Sequence, residues 1–261
     1  MRMVRFVLLL GMAVMLASCS HMNLGGAGGE VLFEDSMAES WETNWFLDGK
    51  KAVLEHRDGG LAYITEYTVN KNVDRAGFDS QHAILWTKQE FEGDIRITYN
   101  FTKLPGSSWQ KLIYIQAQGI GEDMFVEDIH AWRDFREVAT MSKYFTYMDL
   151  ISLSLRGEIR CKRYPTTDME GNRIPCEFKP RGENRGLEAG RDFYCVVEKR
   201  KKTVYLRIKD VETGEIPVEH TWDLRELTKG RDPKYVTKGR IGLRHMGGYG
   251  AFYRNFKVES L

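Results

Sequence analysis

The segment GRIGLRHMGGYGAFYRNFKV, residues 239–258, decides how the rest of the chain is read. Alternation puts Ile241, Leu243 and His245 on one face of a strand and Gly242, Arg244 and Met246 on the other. Gly247, Gly248 and Gly250 supply a turn, after which Phe252, Phe256 and Val258 return to an apolar face. The segment reads as a closing β-hairpin rather than a catalytic loop. His245 falls on the apolar side, as a core histidine. Arg244 falls on the open side and is the hairpin's ligand candidate.

Outward from this hairpin, short runs of β-branched and aromatic residues recur, broken by Gly, Asp, Asn and Pro. They lie at 30–34, 52–55, 61–64, 82–87, 92–102, 111–118, 150–156, 193–199, 203–209, 239–245 and 251–258. So many short antiparallel strands predict an all-β sandwich or jelly roll, in one domain from residue 30 to 261. Its predicted core holds Ile95, Ile97, Ile113, Ile115, Ile151, Leu153, Val204, Leu206 and Leu243. Two stretches break the pattern. Phe125, Ile129, Trp132 and Phe135 follow helical spacing within 122–138, which predicts a short helix or ordered loop. In 221–230, Thr221 as a cap and Gly230 as a stop predict a second short helix.

The 38 basic residues nearly balance the 37 acidic ones, for a net charge of +1, so nothing suggests a nucleic-acid partner. The run Lys199-Arg200-Lys201-Lys202 lies between two strand-like runs and reads as a solvated hairpin turn. At the N-terminus, Arg2 and Arg5 precede the apolar FVLLLGMAVML and then LASCS. That order is a secretory signal, too short to span a membrane. Leu16-Ala17-Ser18-Cys19 resembles the bacterial lipobox, so residues 1–18 are expected to be removed and Cys19 to carry lipid. Residues 19–29 then form a flexible tether, and the protein sits in the cell envelope. Ser20 rather than Asp after the lipid site leans toward the outer membrane. Export permits disulfides: Cys161 and Cys176 flank a turn-rich segment, and a bridge and two buried thiols are both open readings. Cys195 alternates with Phe193 and Val197 as a core residue. No cysteine–histidine spacing suggests zinc, and no cofactor is expected.

The polar faces of the strands supply the site candidates. Arg96, Thr98, Asn100 and Thr102 oppose one apolar row; Tyr114, Gln116 and Gln118 oppose another; Ser152, Ser154 and Arg156 oppose a third. Sugar hydroxyls need donors and acceptors, and sugar rings need aromatic platforms. A hydrated sheet face also favours Thr, Ser and Arg, but glutamine is not a favoured strand residue.

The closing hairpin resembles that of concanavalin A-like jelly rolls, as VLFEDSMAESWETNW resembles their first strand. With GIGEDMF at 119–125 and YMDLISLSL at 147–155, the chain resembles the domain-of-unknown-function 1961 family over most of residues 30–258. The resemblance implies a concanavalin A-like jelly roll of two antiparallel sheets and an association with polysaccharide breakdown. Where relatives often place a histidine near the residue matching Asp149, this chain offers Tyr147.

No Glu-x-Asp-x-x-Glu strand of a laminarinase-type hydrolase is present. Loop carboxylates such as Glu122, Asp123, Glu127, Asp128 and Asp149 leave hydrolysis open, but the inventory slightly favours β-elimination at a uronate, which needs a group to neutralise the carboxylate and a base to take the C5 proton. The catalytic candidates are therefore Gln116, Arg156, Tyr147 and His130. The substrate-binding candidates are Arg96, Asn100, Tyr114, Gln118, Trp132 and Arg244, with Trp86 and Trp109 as further aromatic surfaces. The expected partner is a polysaccharide or oligosaccharide. A non-catalytic glycan-binding lipoprotein is the alternative.

Overall fold

The computed structural model describes residues 29–107, 111–135, 141–227 and 234–261. Cys19, Trp109 and Gly230 lie outside the described residues. The first half of the chain contributes strands β1 (Val31–Asp35), β2 (Trp45–Asp48), β3 (Ala52–Arg57), β4 (Gly60–Thr65), β5 (Ala83–Thr87), β6 (Phe91–Glu92), β7 (Ile95–Lys103) and β8 (Lys111–Gly119). The second half contributes β9 (Met148–Leu155), β10 (Glu158–Tyr164), β11 (Glu177–Glu183), β12 (Asp192–Arg200), β13 (Thr203–Asp210), β14 (Val218–Asp223), β15 (Lys238–His245) and β16 (Gly250–Ser260). Helices α1 (Arg75–Asp79) and α2 (Met141–Tyr147) are short.

Among the described residues these strands form two eight-stranded antiparallel sheets. The back sheet runs β14-β13-β12-β7-β16-β4-β3, with β1 also on β16. The front sheet runs β11-β10-β9-β8-β15-β5-β2, with β6 also on β15. Alternation drives the packing: Ile95, Ile97, Tyr99 and Phe101 of the back sheet face Ile113, Ile115, Ile151 and Leu153 of the front sheet in one core. All nine predicted core residues are buried there. His245 is buried too, stacked on Tyr63 with ring centroids 3.9 Å apart and its Nε2 2.8 Å from the Tyr253 hydroxyl. Burial drives its pKa well below the ordinary histidine value.

A second apolar layer covers part of the front sheet's outer face. A 3-10 turn at Ile129–Phe135 and α2 bring Ile129, Trp132 and Tyr144 down onto Phe46, Trp86 and Tyr114. Of the helix or ordered loop expected over 122–138, residues 129–135 form this 3-10 turn, and 136–138 lie outside the described residues. β5 lies under this layer and is buried at all five positions, as a strand covered on both faces must be. Gly242 is required here: a Cβ on it would meet Trp86 Cζ3 at 2.4 Å, so only glycine lets the indole lie across β15.

Two expectations change, and the open reading of the cysteines is settled. Residues 218–223 form β14, not a helix: Thr221 pairs with Tyr205, and Trp222 is buried in the main core. No disulfide joins Cys161 to Cys176. A register shift between Ile159 and Cys161 sets Cys161 opposite Phe178, and the Cys176 carbonyl accepts from the Arg163 N–H instead. In the basic run, Arg200, Lys201 and Lys202 do lie at the β12–β13 turn. Lys199 is buried and donates to the Val236 carbonyl.

Ile115→Ala, which removes a fully buried side chain between the sheets, is expected to cost about 2–5 kcal/mol in chemical denaturation. A loss under about 0.5 kcal/mol would contradict this packing.

Candidate functional site

Two rows of cross-strand neighbours on the front sheet's outer face define the site. One reads Lys162, Ser152, Tyr114, Gly242, Trp86, Phe46. The next reads Arg160, Ser154, Leu112, Arg244, Ile84, Asp48. Both run from polar and basic side chains on β10 and β9 to side chains under the second apolar layer. The change of character along each row separates an open half of the face from a covered half.

The open half holds two adjoining cavities. The smaller, about 120 Å³, lies over β8, β9 and β10 and is lined by Ser152, Ser154, Arg156, Arg160, Lys162 and Tyr164 among others. The larger, about 600 Å³, lies at the sheet's rim between the loop after β4 and the loop after β15. Tyr67, Lys71, Arg75 and Arg156 are among its lining residues. Arg156 lines both. Together they carry five cations, Lys71, Arg75, Arg156, Arg160 and Lys162, and no aspartate or glutamate among the described residues. Arg75 pairs with Asp79 at 2.9 Å and Arg160 with Glu158 at 3.4 Å. Lys71, Arg156 and Lys162 have no ion-pair partner among the described residues. One-signed charge along a cleft draws ligands of opposite sign.

Beneath the covered half sits a polar cluster around Arg244, which is fully buried. Its guanidinium donates to the Tyr114 hydroxyl and, at 3.1 Å, to His82 Nδ1. It also lies 5.8 Å from the ring centres of both Tyr114 and Tyr144. The Tyr144 hydroxyl donates to Asp48 Oδ2 at 2.5 Å. Because arginine can only donate, His82 Nδ1 accepts, and the neutral ring carries its proton on Nε2. Burial, and then the Arg244 charge, push the His82 pKa down to about 3. Tyr164, beside Tyr114, is pushed well above the ordinary tyrosine value, chiefly by burial.

The predicted site residues do not form one site. Arg156 is exposed and lines both cavities. Tyr114 and Arg244 touch each other, yet neither is open to solvent, because the second apolar layer covers them. Gln116 is fully buried at a backbone bulge, where its Nε2 lies within 3.2 Å of the carbonyls of Phe91, Gly93 and Thr237. Gln118, half-buried, lies beyond that bulge opposite Asp149. Tyr147 is stacked on Phe125, centroids 3.6 Å apart, and His130 lies edge-on to Phe46 at 4.6 Å. Trp132 is a core residue that donates to the Val126 carbonyl at 2.9 Å, and Trp86 is buried as well; neither offers a sugar-stacking face. Arg96 and Asn100 are on the other sheet altogether. Arg96 pairs with Glu198 at 2.8 Å, and Asn100 accepts from Asn255 at 3.3 Å, on the outer face of the back sheet.

Sequence reading missed Tyr67, Lys71, Arg75, Arg160 and Lys162. For the last two a signal exists: in EIRCKRY, Ile159 and Cys161 alternate with Arg160 and Lys162 as a half-buried strand requires. No group of three or more metal-ligating side chains occurs among the described residues.

No protein-family model matches the chain, and no curated protein is similar to it in sequence. Solved structures are similar in fold. A Bacillus subtilis protein of unknown function with a galectin-like fold superposes with a TM-score of 0.65 at 18% identity, over 89% of this chain and 97% of that one. A legume lectin-like domain from Entamoeba histolytica gives 0.53 at 7% identity, over 88% and 97%. The lectin UEA-II in complex with galactose gives 0.51 at 8% identity, over 88% and 98%. The fold is therefore a galectin-like and concanavalin A-like sandwich.

The His82 shift has a consequence for stability. The unfolded imidazole titrates near about 6.5, so below that pH the unfolded state binds a proton that the folded state refuses. The contribution is complete above about pH 6.5 and is lost as pH falls toward 3. His82→Gln, which keeps an acceptor for Arg244, is expected to flatten the fall in melting temperature between about pH 7 and 4. An unchanged slope would show that His82 is not held neutral.

Proposed function

We propose that the protein binds an anionic, uronate-containing polysaccharide across the open half of the front sheet. The observation that carries this reading is the pair of adjoining cavities, which among the described residues hold five cations, three of them without an ion-pair partner, and no carboxylate. Guanidinium groups suit carboxylates because two parallel N–H donors match two oxygens. Ser152 and Ser154, both largely buried, form the floor of the smaller cavity beneath these cations. The lectins with this fold support a glycan as the ligand class, and the charge selects an acidic one.

A second reading adds cleavage by β-elimination. The same lining favours it over hydrolysis, because the carboxylate pair of a hydrolase has no place there. Arg156 would neutralise the uronate, and Tyr164 is the one phenol lining the smaller cavity. Its raised pKa works against a role as base, so binding without turnover is the simpler form of the proposal. Membership of the domain-of-unknown-function 1961 family belongs to the same proposal and rests on GIGEDMF, YMDLISLSL and the sandwich itself. So does the envelope location, held by lipid on Cys19. Cys19→Ala is expected to abolish acyl labelling and leave unprocessed precursor; unaltered membrane partitioning without lipid would refute the anchor.

Retention by acidic and neutral polysaccharides in affinity electrophoresis tests the binding reading. The wild type is expected to be retained by uronate polymers and released by salt. Arg156→Ala is expected to bind about ten-fold or more weakly, since hydrogen bonds to charged groups contribute about 1.5–3 kcal/mol. Its stability should change by no more than about 0.5 kcal/mol, because the side chain is exposed. Equal retention by neutral polymers, or full binding by the variant, would refute the reading. Release of unsaturated products from a retained polymer would establish elimination.

A further inference from the structure

The loop between β4 and β5 holds an aromatic side chain that the core does not use. Tyr67 is 58% exposed, and it lines the larger cavity beside Lys71, Arg75 and Arg156. An exposed tyrosine on a mobile loop would mean little, but this one is fixed from two sides. On one side the loop backbone is clamped by Gln81, which is fully buried. The Gln81 Oε1 accepts from the Thr68 N–H, from the Thr68 hydroxyl at 3.1 Å and from the Val69 N–H at 3.0 Å. Its Nε2 donates to the Val69 carbonyl at 2.9 Å. All the hydrogen-bonding capacity on one edge of a buried amide is thus spent on the two residues after Tyr67.

On the other side the Tyr67 ring rests on a glycine. Gly248 has φ +78°, and a Cβ on it would lie 3.1 Å from Tyr67 Cγ and Cδ2. Gly248 N–H also donates to the Glu66 carbonyl at 2.9 Å, which ties the two loops together. Phe78 meets Tyr67 edge-on, centroids 6.5 Å apart. The ring is therefore supported on the protein side while more than half of the residue's surface stays open. Asn70 and Asn72, from the same loop, line the cavity with amide donors and acceptors.

A flat ring fixed in place, with unpaired cations around a cavity of about 600 Å³, combines the two demands of an acidic sugar. The apolar face of the pyranose needs a platform. Its carboxylate needs a cation in the ring's own plane and not beneath it. We propose that Tyr67 is a stacking platform for one sugar residue of the polysaccharide, whose acidic group is taken by Lys71 and Arg156. Because Arg156 lines both cavities, it lies between this residue and the next one along the sheet. Gln81 acts as a positioning residue through the loop. The inference rests on the anionic-glycan reading, and it adds a defined subsite at the rim of the sheet.

The test uses trisaccharides of galacturonic, glucuronic and mannuronic acid, titrated separately into the full-length protein and followed by calorimetry and by NMR of ring-labelled tyrosine. At least one is expected to bind, to perturb the Tyr67 ring resonances, and to have its own ring-face proton resonances moved upfield by the aromatic ring. Tyr67→Ala is expected to weaken that binding about ten-fold, and Tyr67→Phe to restore it to within about three-fold, with melting temperatures unchanged for both. Gln81→Ala is expected to weaken binding only while Tyr67 is present, so that Tyr67→Ala in the Gln81→Ala background adds little. If the wild type binds and Tyr67→Ala binds equally well while Arg160→Ala does not, the subsite is wrong and the wider reading stands. If no acidic trisaccharide binds, both fail.

Discussion

Gln116 holds the front sheet in the shape on which the site depends. Its backbone has φ +49°, a left-handed conformation uncommon for a residue with a side chain. Its buried amide points its Nε2 at the carbonyls of Phe91, Gly93 and Thr237, and so ties β8 to the ends of β6 and β15. At this point the register of β8 shifts against β9 on one side and β15 on the other. Beyond the shift the chain leaves the sheet, and residues from 120–135 and 141–147 lie over the outer face as the second apolar layer. The bulge therefore sets where β8 stops being a platform and starts feeding its own cover.

That cover separates two kinds of cation on one face. Arg244, beneath it, is fully buried and has hydroxyl, imidazole and aromatic partners but, among the described residues, no ion pair. Removing a guanidinium from water is costly, so its contacts with Tyr114, Tyr144 and His82 are what let it remain charged. Arg163, near the end of β10 opposite Ile151, is buried as well but pairs with Asp149. The cations of the open half differ from both: they keep their water, and several have no partner to leave when a ligand arrives. Only this second group can contribute selectivity for an anion without first breaking a structural contact.

The sandwich was legible because alternation is strict where one face is apolar. Ile95, Ile97, Ile113, Ile115, Ile151 and Leu153 follow a period of two without interruption, and His245 sits in the same phase. β10 was missed although Ile159 and Cys161 alternate with Arg160 and Lys162, because the basic residues lower the apolar content of so short a run, and β14 was hidden by the helical signals that follow it. Side-chain phase told which residues leave the core but not which of the two outer faces they reach. Arg96 and Asn100 were grouped with Arg156 for that reason, although a whole sandwich separates them. Phase also could not show that Tyr114 and Arg244, correctly placed outside the main core, lie under a second one. Gln116 stood out correctly as an odd residue for a strand, but the oddity marks a bulge and not a ligand. Tyr67 belongs to a loop, where periodicity carries no information.

The central claim is that an acidic glycan lies across the open half of the front sheet. A crystal structure of the protein with a bound uronate oligosaccharide tests it most directly. The account predicts sugar density over Ser152 and Ser154, with a carboxylate against Arg156 and the chain running toward Arg160 and Lys162 on one side and Tyr67 on the other. Density on the outer face of the back sheet, against Arg96 and Asn100, would contradict it.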